Sequence, residues 1–215
     1  MKYELVLFDL DGTLLNTIDD LGEAVNHAMA QHGFPLRTRS EYTKMVGHGV
    51  RNLVMKALPD DVRGDEAVVD VALADFMAYY TAHIDIHTHP YAGMQELVGE
   101  LHRKGILMAV ASNKFQEGTE HLVARFFPDI PFVAVLGNRP GFPLKPDPEI
   151  VNEVLRKTGV GKERVVMVGD SPTDMNTAAN SGIKFIAVSW GFRNVKDIEG
   201  LTVVDTAEEL KKLLL

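Results

Sequence analysis

Apolar and polar positions along the 215-residue chain follow two different rhythms. The first apolar run is Leu5-Val6-Leu7-Phe8, which stops abruptly at Asp9-Leu10-Asp11-Gly12-Thr13. Four consecutive apolar residues predict a strand buried on both faces, as in a parallel sheet. From about residue 16 to residue 85 the spacing is helical and no strand is evident. Ile18, Leu21, Val25, Ala28 and Met29 mark a helix over 17–33. Thr17 is its expected N-cap, Asp19 and Asp20 suit the positive end of the helix dipole, and Gly33 and Pro35 stop it. Shorter helical patterns cover 40–46 and 50–58. A longer one covers 65–83, with Val68, Val71, Ala72, Asp75, Phe76 and Tyr79 expected on one side.

The rhythm then changes to alternation. Helices are predicted over 94–104, 115–127, 148–158, 173–181 and 206–214. Strands are predicted over 106–111, 132–136, 164–168 and 184–188, with a weak one at Val203-Val204. Strand–helix alternation predicts a parallel sheet with right-handed crossovers. The fold class is therefore α/β, a Rossmann-like parallel-sheet core with an inserted all-helical segment. The core is expected to be discontinuous, residues 1–15 and 88–215, with the insert at 16–87.

Composition narrows the function classes. The hydrophobic share of 46% and charged share of 24% are those of an ordinary globular protein. No cysteine is present, which excludes disulfides, thiolate metal sites and a cysteine nucleophile. No signal-peptide pattern and no membrane-length apolar run are evident, so the expected location is cytoplasmic, without a membrane partner. A net charge of −8 argues against nucleic acid as a partner. An acidic chain that binds an anion must gather positive charge locally.

The ends of the predicted strands carry the chemistry. Asp9 and Asp11 are two apart, so in extended backbone both face one pocket. Either one is protonated or a cation sits between them, and a hard, oxygen-seeking ion such as Mg²⁺ suits two carboxylates. An ordinary Asp-Gly turn is the alternative. The strand at 106–111 runs into Ser112-Asn113-Lys114, a hydroxyl, an amide and backbone N–H groups. The strand at 164–168 runs into Gly169-Asp170-Ser171-Pro172-Thr173-Asp174, where Asp170 stands in a metal ligand's place. Ser171 and Asp174 also fit a capped helix N-terminus. Between them, Pro143-Leu144-Lys145-Pro146-Asp147-Pro148 is a proline-stiffened loop able to hold one lysine still.

In that order, Asp9-Leu10-Asp11-Gly12-Thr13, Ser112-Asn113, Lys145-Pro146 and Gly169-Asp170-Ser171-Pro172-Thr173-Asp174 resemble the four motifs of the haloacid dehalogenase superfamily. The helical insert falls where that superfamily carries a cap. Leu14-Leu15-Asn16-Thr17, Asp19-Asp20-Leu21 and Val46-Gly47-His48-Gly49-Val50-Arg51-Asn52-Leu53 are similar to the phosphoglycolate phosphatase group within it. The resemblance implies that Asp9 attacks phosphorus and that Asp11 protonates the leaving alcohol, then deprotonates water. It implies that Mg²⁺ is held by Asp9, the Asp11 carbonyl and Asp170, supported by Asp174. It further implies that Thr13, Ser112, Asn113 and Lys145 hold the phosphoryl oxygens. An acid at position 11 points to an alcohol leaving group, since halide needs no proton.

The implied partner is a small phosphorylated metabolite, best guess 2-phosphoglycolate, and the protein a monomer or homodimer. Pyrophosphate or a broad range of small phosphates are alternatives, as are a phosphosugar mutase and a non-catalytic binding protein of the same fold. Substrate choice is expected to lie in the cap, at Gly47, His48, Gly49 and Arg51, whose amides and guanidinium suit a carboxylate. A helix-capping loop is the competing reading of those residues. His83, His87 and His89 form a dense cluster, and His87-Thr88-His89 has chelating spacing. A hinge rejoining the core is the reading preferred, because no further ligand set follows.

Overall fold

The computed structural model describes residues 2–215. The chain divides into two compact units, one formed by Met1–Asn16 with Pro90–Leu215 and the other by Thr17–His89.

The first unit is an α/β sheet structure. Its strands are β1 (Leu5–Phe8), β4 (Leu107–Phe115), β5 (Ala134–Asn138), β6 (Val165–Gly169), β7 (Lys184–Val188) and β8 (Val203–Val204). Two-residue strands, β2 (Leu15–Asn16) and β3 (His89–Pro90), mark the points where the chain passes between units. Its helices are α5 (Met94–Arg103), α6 (Gln116–Phe126), α7 (Glu149–Thr158), α8 (Pro172–Ser181) and α9 (Ala207–Leu214). The six core strands pair in the order β5-β4-β1-β6-β7-β8, all parallel.

β1 thus lies between β4 and β6, with Leu7 opposite Ala109 on one side and Met167 on the other. All four of its residues are fully buried, as a continuous apolar run in a two-faced parallel sheet requires. On one face Leu5 and Leu7 join Ala109, Ala111, Val165 and Met167 against Val151 and Val154 of α7 and Ala178 of α8. The chain builds outward from β1 to β4 and β5, then crosses to β6 on the opposite side. Ligands in such sheets sit beyond the strand carboxyl ends where the order reverses. Here those are the carboxyl ends of β1, β4 and β6.

The second unit holds α1 (Ile18–Gln31), α2 (Arg39–Met45), α3 (Val50–Ala57) and α4 (Glu66–His83). The fold class read from the sequence is the one observed, and the departures are local. Thr17 stands at the N-cap of α1, but its side chain makes no capping bond to the helix. The buried face of α4 is Val69, Ala72, Phe76 and Tyr80, while Val71 is 52% exposed. The expected face was rotated by about one residue. α4 is apolar nearly all round, so periodicity discriminates weakly between its sides. Asp20 of α1 is buried and accepts from the Thr88 amide and hydroxyl and the His87 amide at 2.7–2.8 Å, pinning the returning chain to α1.

β4 is longer than expected. It runs through Ser112-Asn113-Lys114 to Phe115, with an irregular register against β5 between Ala111 and Phe115. An apolar pattern ends a predicted strand at its first polar residue, whereas here the backbone stays extended and the polar residues are themselves buried.

Candidate active site

The end of β1 is shaped by backbone bonding. The Asp9 amide donates to Val168 O at 2.9 Å, continuing the pairing with β6 by one residue. The amides of Leu14 and Leu15 then both return to Leu10 O, closing a tight turn over Asp11-Gly12-Thr13. Gly12 turns there with φ of 87°, and a Cβ on it would collide with the Asp170 carboxylate. The first turn and the end of β6 therefore pack so closely that only glycine fits.

Lys145 occupies the centre. Its ammonium lies 2.9 Å from Asp9 Oδ1 and 2.7 Å from Asp174 Oδ1, and donates to Ala111 O at 2.8 Å. Its side chain is 2% exposed. The loop that delivers it is fixed by Asn113, whose amide donates to Lys145 O at 3.0 Å while its carbonyl accepts from Lys145 N at 2.8 Å. The Lys145–Pro146 peptide is cis. In this arrangement the Asn113 side chain serves the lysine's backbone. The other oxygen of Asp174 accepts from the Ser171 hydroxyl at 2.6 Å, which locks the first turn of α8. The helix-capping and site readings of Ser171 and Asp174 are thus both expressed in one geometry.

A second buried lysine stands on the other carboxylate. Lys114 Nζ lies 3.2 and 3.5 Å from the two oxygens of Asp11, and its side chain is 1% exposed. A loop after β7 completes the wall. The Trp190 indole donates to Thr13 O at 3.1 Å, and the Phe192 amide donates to Asp170 Oδ2 at 2.6 Å. A Cβ on Gly191 would strike Asp170 and the Gly12 carbonyl.

Burial sets the electrostatics. Removal from water, reinforced by Asp174, pushes the Asp9 carboxyl up from 3.8 to about 7, against the pull of Lys145. Asp170 is raised well above the ordinary carboxylate range, by burial first and then by Asp174 and Asp9. Burial opposes the charged form of Lys145, but Asp174 and Asp9 outweigh it and hold the ammonium more firmly than usual. Carboxylates of Asp9, Asp170 and Asp174 place oxygens within 4.8 Å of one another, all buried. Three converging anions against one lysine leave an excess of negative charge, and an all-oxygen donor set of this kind fits a hard divalent cation. Finally, the Thr13 hydroxyl is fully buried and has no hydrogen-bond partner among the described residues. A buried polar group of this kind calls for a partner.

Asp9, Asp11, Thr13, Ser112, Asn113, Lys145, Asp170 and Asp174, far apart in sequence, thus gather at the carboxyl ends of three neighbouring strands and the β5–α7 loop. The Ser112 hydroxyl accepts from Lys114 N at 3.2 Å. Gly47, His48, Gly49 and Arg51 belong to the helical unit. Gly47 and Gly49 have φ of 115° and 81°, Gly49 is the N-cap of α3, and Arg51 is paired with Glu66 and Asp70 of α4. A second cluster, Asp20, Glu23 and His87, also brings ligand-type atoms together. Asp20 there already accepts three hydrogen bonds that tie the returning chain, and His89 Nδ1 faces His87 O at 2.8 Å.

Sequence reasoning missed Lys114 as a site side chain. Extended alternation through Ser112-Asn113-Lys114 was the available signal, since it sets Lys114 on the same side as Ser112.

The pattern of the family described as haloacid dehalogenase-like hydrolase matches residues 6–188. A phosphoglycolate phosphatase of Mesorhizobium japonicum is 32% identical over 98% of this chain and 94% of its own length. One of Nitrosococcus oceani is 28% identical over 98% and 96%. A crystal structure from Lactobacillus delbrueckii subsp. bulgaricus, of a protein provisionally named a phosphoglycolate phosphatase, superimposes with a TM-score of 0.92 at 35% identity. That match covers 100% of this chain and 99% of that one. The chain belongs to the haloacid dehalogenase-like hydrolases.

Proposed function

We propose that this haloacid dehalogenase-like hydrolase cleaves a small phosphate monoester through a covalent aspartyl-phosphate, with 2-phosphoglycolate as the preferred substrate. The observation that carries the reading is the arrangement at the end of β1. A buried carboxylate, Asp9, is held by Lys145, and the tight turn that follows Asp9 carries the buried, partnerless hydroxyl of Thr13. Phosphoryl transfer needs a positioned nucleophile and donors around the equatorial oxygens, and little else from the protein.

Asp9 Oδ forms a bond to phosphorus as the bond to the ester oxygen breaks, and that oxygen leaves with a proton from Asp11. Asp11, now a carboxylate, takes a proton from the water that attacks the same phosphorus. Cleavage of the acyl–phosphate bond frees Asp9 and inorganic phosphate. Lys145 holds Asp9 in line, and Thr13, with Ser112 and the backbone around Asn113, meets the phosphoryl oxygens. Asp9, Asp170 and the Asp11 carbonyl would hold Mg²⁺, with Asp174 fixing Lys145 beside them. The ion supplies the positive charge that lets an anionic nucleophile meet an anionic phosphate. The helical unit, as a cap, would govern which ester enters. The reaction is expected to be cytoplasmic.

Support for the substrate comes from the names of the relatives. Phosphate release with Mg²⁺ across 2-phosphoglycolate, pyrophosphate, hexose phosphates and nucleotides tests it. A clear preference in kcat/KM for 2-phosphoglycolate is expected. A flat profile would leave the catalytic site as argued but make the enzyme a generalist. Conversion of a sugar phosphate to its isomer without phosphate release would mean a mutase.

A further inference from the structure

The polar end of β4 departs from the regular ladder. Ala111 stands opposite Leu136 and Phe115 opposite Asn138, so three residues of β4, Ser112 to Lys114, face the single residue Gly137 of β5. An excess of residues in one strand bends it out of the ladder and re-aims its side chains. The three bulged residues are buried at the site, and pairing with β5 does not fix them. Gln116, the first residue of α6, reaches back to β5 instead. Its Nε2 donates to Val135 O at 2.9 Å and its Oε1 accepts from the Gly137 amide at 2.6 Å, the pair of bonds that a peptide of a neighbouring strand would form. Nε2 also donates to Glu120 Oε1 at 2.7 Å. We propose that Gln116 is a positioning residue, clamping the β4 bulge to β5 so that Ser112 and Asn113 keep their places in the site.

Two neighbours close the same clamp. A Cβ on Gly137 would lie 2.7 Å from both Gln116 Cα and Lys114 O, and 2.8 Å from Thr119 Oγ1. The bulge and the start of α6 therefore rest directly on the backbone of β5. The Thr119 side chain is fully buried, and its hydroxyl donates between Phe115 O at 3.0 Å and Lys114 O at 3.3 Å, which fastens the end of the bulge to α6. From the bulge the effect reaches the nucleophile through side chains. Asn113 holds the Lys145 backbone, and the Lys145 ammonium holds Asp9. Loosening at Gln116 thus shifts the groups around the phosphoryl oxygens without removing any of them. A misplacement of about 1 Å in such groups costs up to about 10²-fold in rate. This role rests on the phosphatase reading above, and it belongs to a residue that touches no reacting atom.

The test measures phosphate release by the Mg²⁺-loaded enzyme at a temperature where each variant is fully folded by circular dichroism. Gln116→Met keeps the length of the side chain and removes both bonds to β5. Its kcat is expected to fall at least about tenfold, by a similar factor for 2-phosphoglycolate and for an aryl phosphate, because the displaced groups serve the phosphoryl end. Inhibition by orthovanadate, which mimics five-coordinate phosphorus, should weaken by about the same factor. Gly137→Ala presses the bulge away from β5 and should act in the same way. The double variant should then lose much less than the product of the two single losses. Gln95→Met is the control, since it removes a like bond to Phe126 O at the opposite end of α6. It should lower the melting temperature and leave kcat and inhibition unchanged. A Gln116→Met enzyme that only melts earlier, with kcat and vanadate inhibition intact, would show a purely structural role and overturn the proposal. If Gln116→Met does not fold, the nearly isosteric Gln116→Glu decides. It keeps an acceptor for the Gly137 amide and loses the donor to Val135 O, so its kcat should fall, and an undiminished kcat would overturn the proposal equally. Wild-type enzyme that releases no phosphate from any ester would instead sink the phosphatase reading, and this role with it.

Discussion

The two units of this chain use charge in opposite ways. In the sheet unit Lys145 and Lys114 are almost wholly buried and pair with three carboxylates, Asp9, Asp11 and Asp174, that converge from beyond the ends of β1 and β6. In the helical unit Arg39 pairs with Asp19, and Arg51 with Glu66 and Asp70, at the surface. Its buried carboxylate Asp20 is satisfied by backbone and hydroxyl donors of its own unit. Desolvated charge is costly, and surface pairs contribute little to stability. A chain that collects unbalanced buried acid at strand ends is keeping it for a ligand. A buried acid fully met by local donors is holding chain segments together. The contrast locates chemistry in the sheet unit and predicts where substitutions should matter.

The largest effect should come from Asp9→Asn. The change is nearly isosteric, so the protein should fold while losing at least about 10⁴-fold in kcat, equally for every phosphate ester. Single-turnover phosphate release measures it. Retention of even a hundredth of the activity would break the covalent mechanism.

Thr13→Val removes only the partnerless hydroxyl. The expected loss is about 10²-fold in kcat, the scale of one donor aimed at developing charge. On the proposed reading Thr13 meets the phosphoryl group common to all substrates, and the loss should then not depend on the leaving group. A substrate-dependent loss would move Thr13 from the phosphoryl side to the specificity side. Stability should hold or rise slightly, since a buried group without a partner is exchanged for an apolar one of similar shape.

The third test reads the excess negative charge directly. Burial and Asp174 raise Asp9 from 3.8 to about 7, so without metal the folded protein favours the neutral acid. For a raised carboxyl, the stabilising contribution is complete below the unfolded value and is lost as pH rises through the folded one. Metal-free protein should therefore lose stability between about pH 4 and about pH 7, and Asp9→Asn should lose less over the same range. A divalent cation reverses the balance, so Mg²⁺ should raise the melting temperature more above that window than below it. Melting curves in chelator and in Mg²⁺ decide this. A magnesium increment that does not change with pH would mean that the cation binds elsewhere.

Much of this contrast was legible in the sequence because strand ends announce themselves. Asp9, Asp11 and Asp170 each interrupt or follow an apolar run, so their position at the carboxyl edge of a parallel sheet follows from the pattern alone, whereas Lys145 stands out only through the prolines around it. Lys114 was not legible in that way, because apolar periodicity ends β4 at Ala111 while the backbone continues extended through three buried polar residues. The exposure of α4 was misjudged for the reverse reason, an apolar surface with too little polar relief to fix its rotation. The reciprocal bonds between Asn113 and the Lys145 backbone join residues 32 apart, a tertiary match that no local pattern encodes.

The smallest effect should come from the helical unit, at Arg51. The sequence offered Arg51 as a clamp for the substrate's carboxylate, but the structure commits its guanidinium to Glu66 and Asp70 on the neighbouring helix. If that commitment persists during turnover, Arg51→Ala should change kcat/KM for 2-phosphoglycolate by less than about fivefold, since exposed pairs of this kind contribute little. The ratio to ethyl phosphate, which carries a methyl group in place of the carboxylate, should then stay near its wild-type value. A loss of tens of fold confined to 2-phosphoglycolate would mean that the guanidinium leaves its own carboxylates for the substrate's. Glu66→Gln with Asp70→Asn sharpens the distinction. Releasing Arg51 should improve KM for 2-phosphoglycolate if the arginine competes for substrate, and leave it unaltered if it does not.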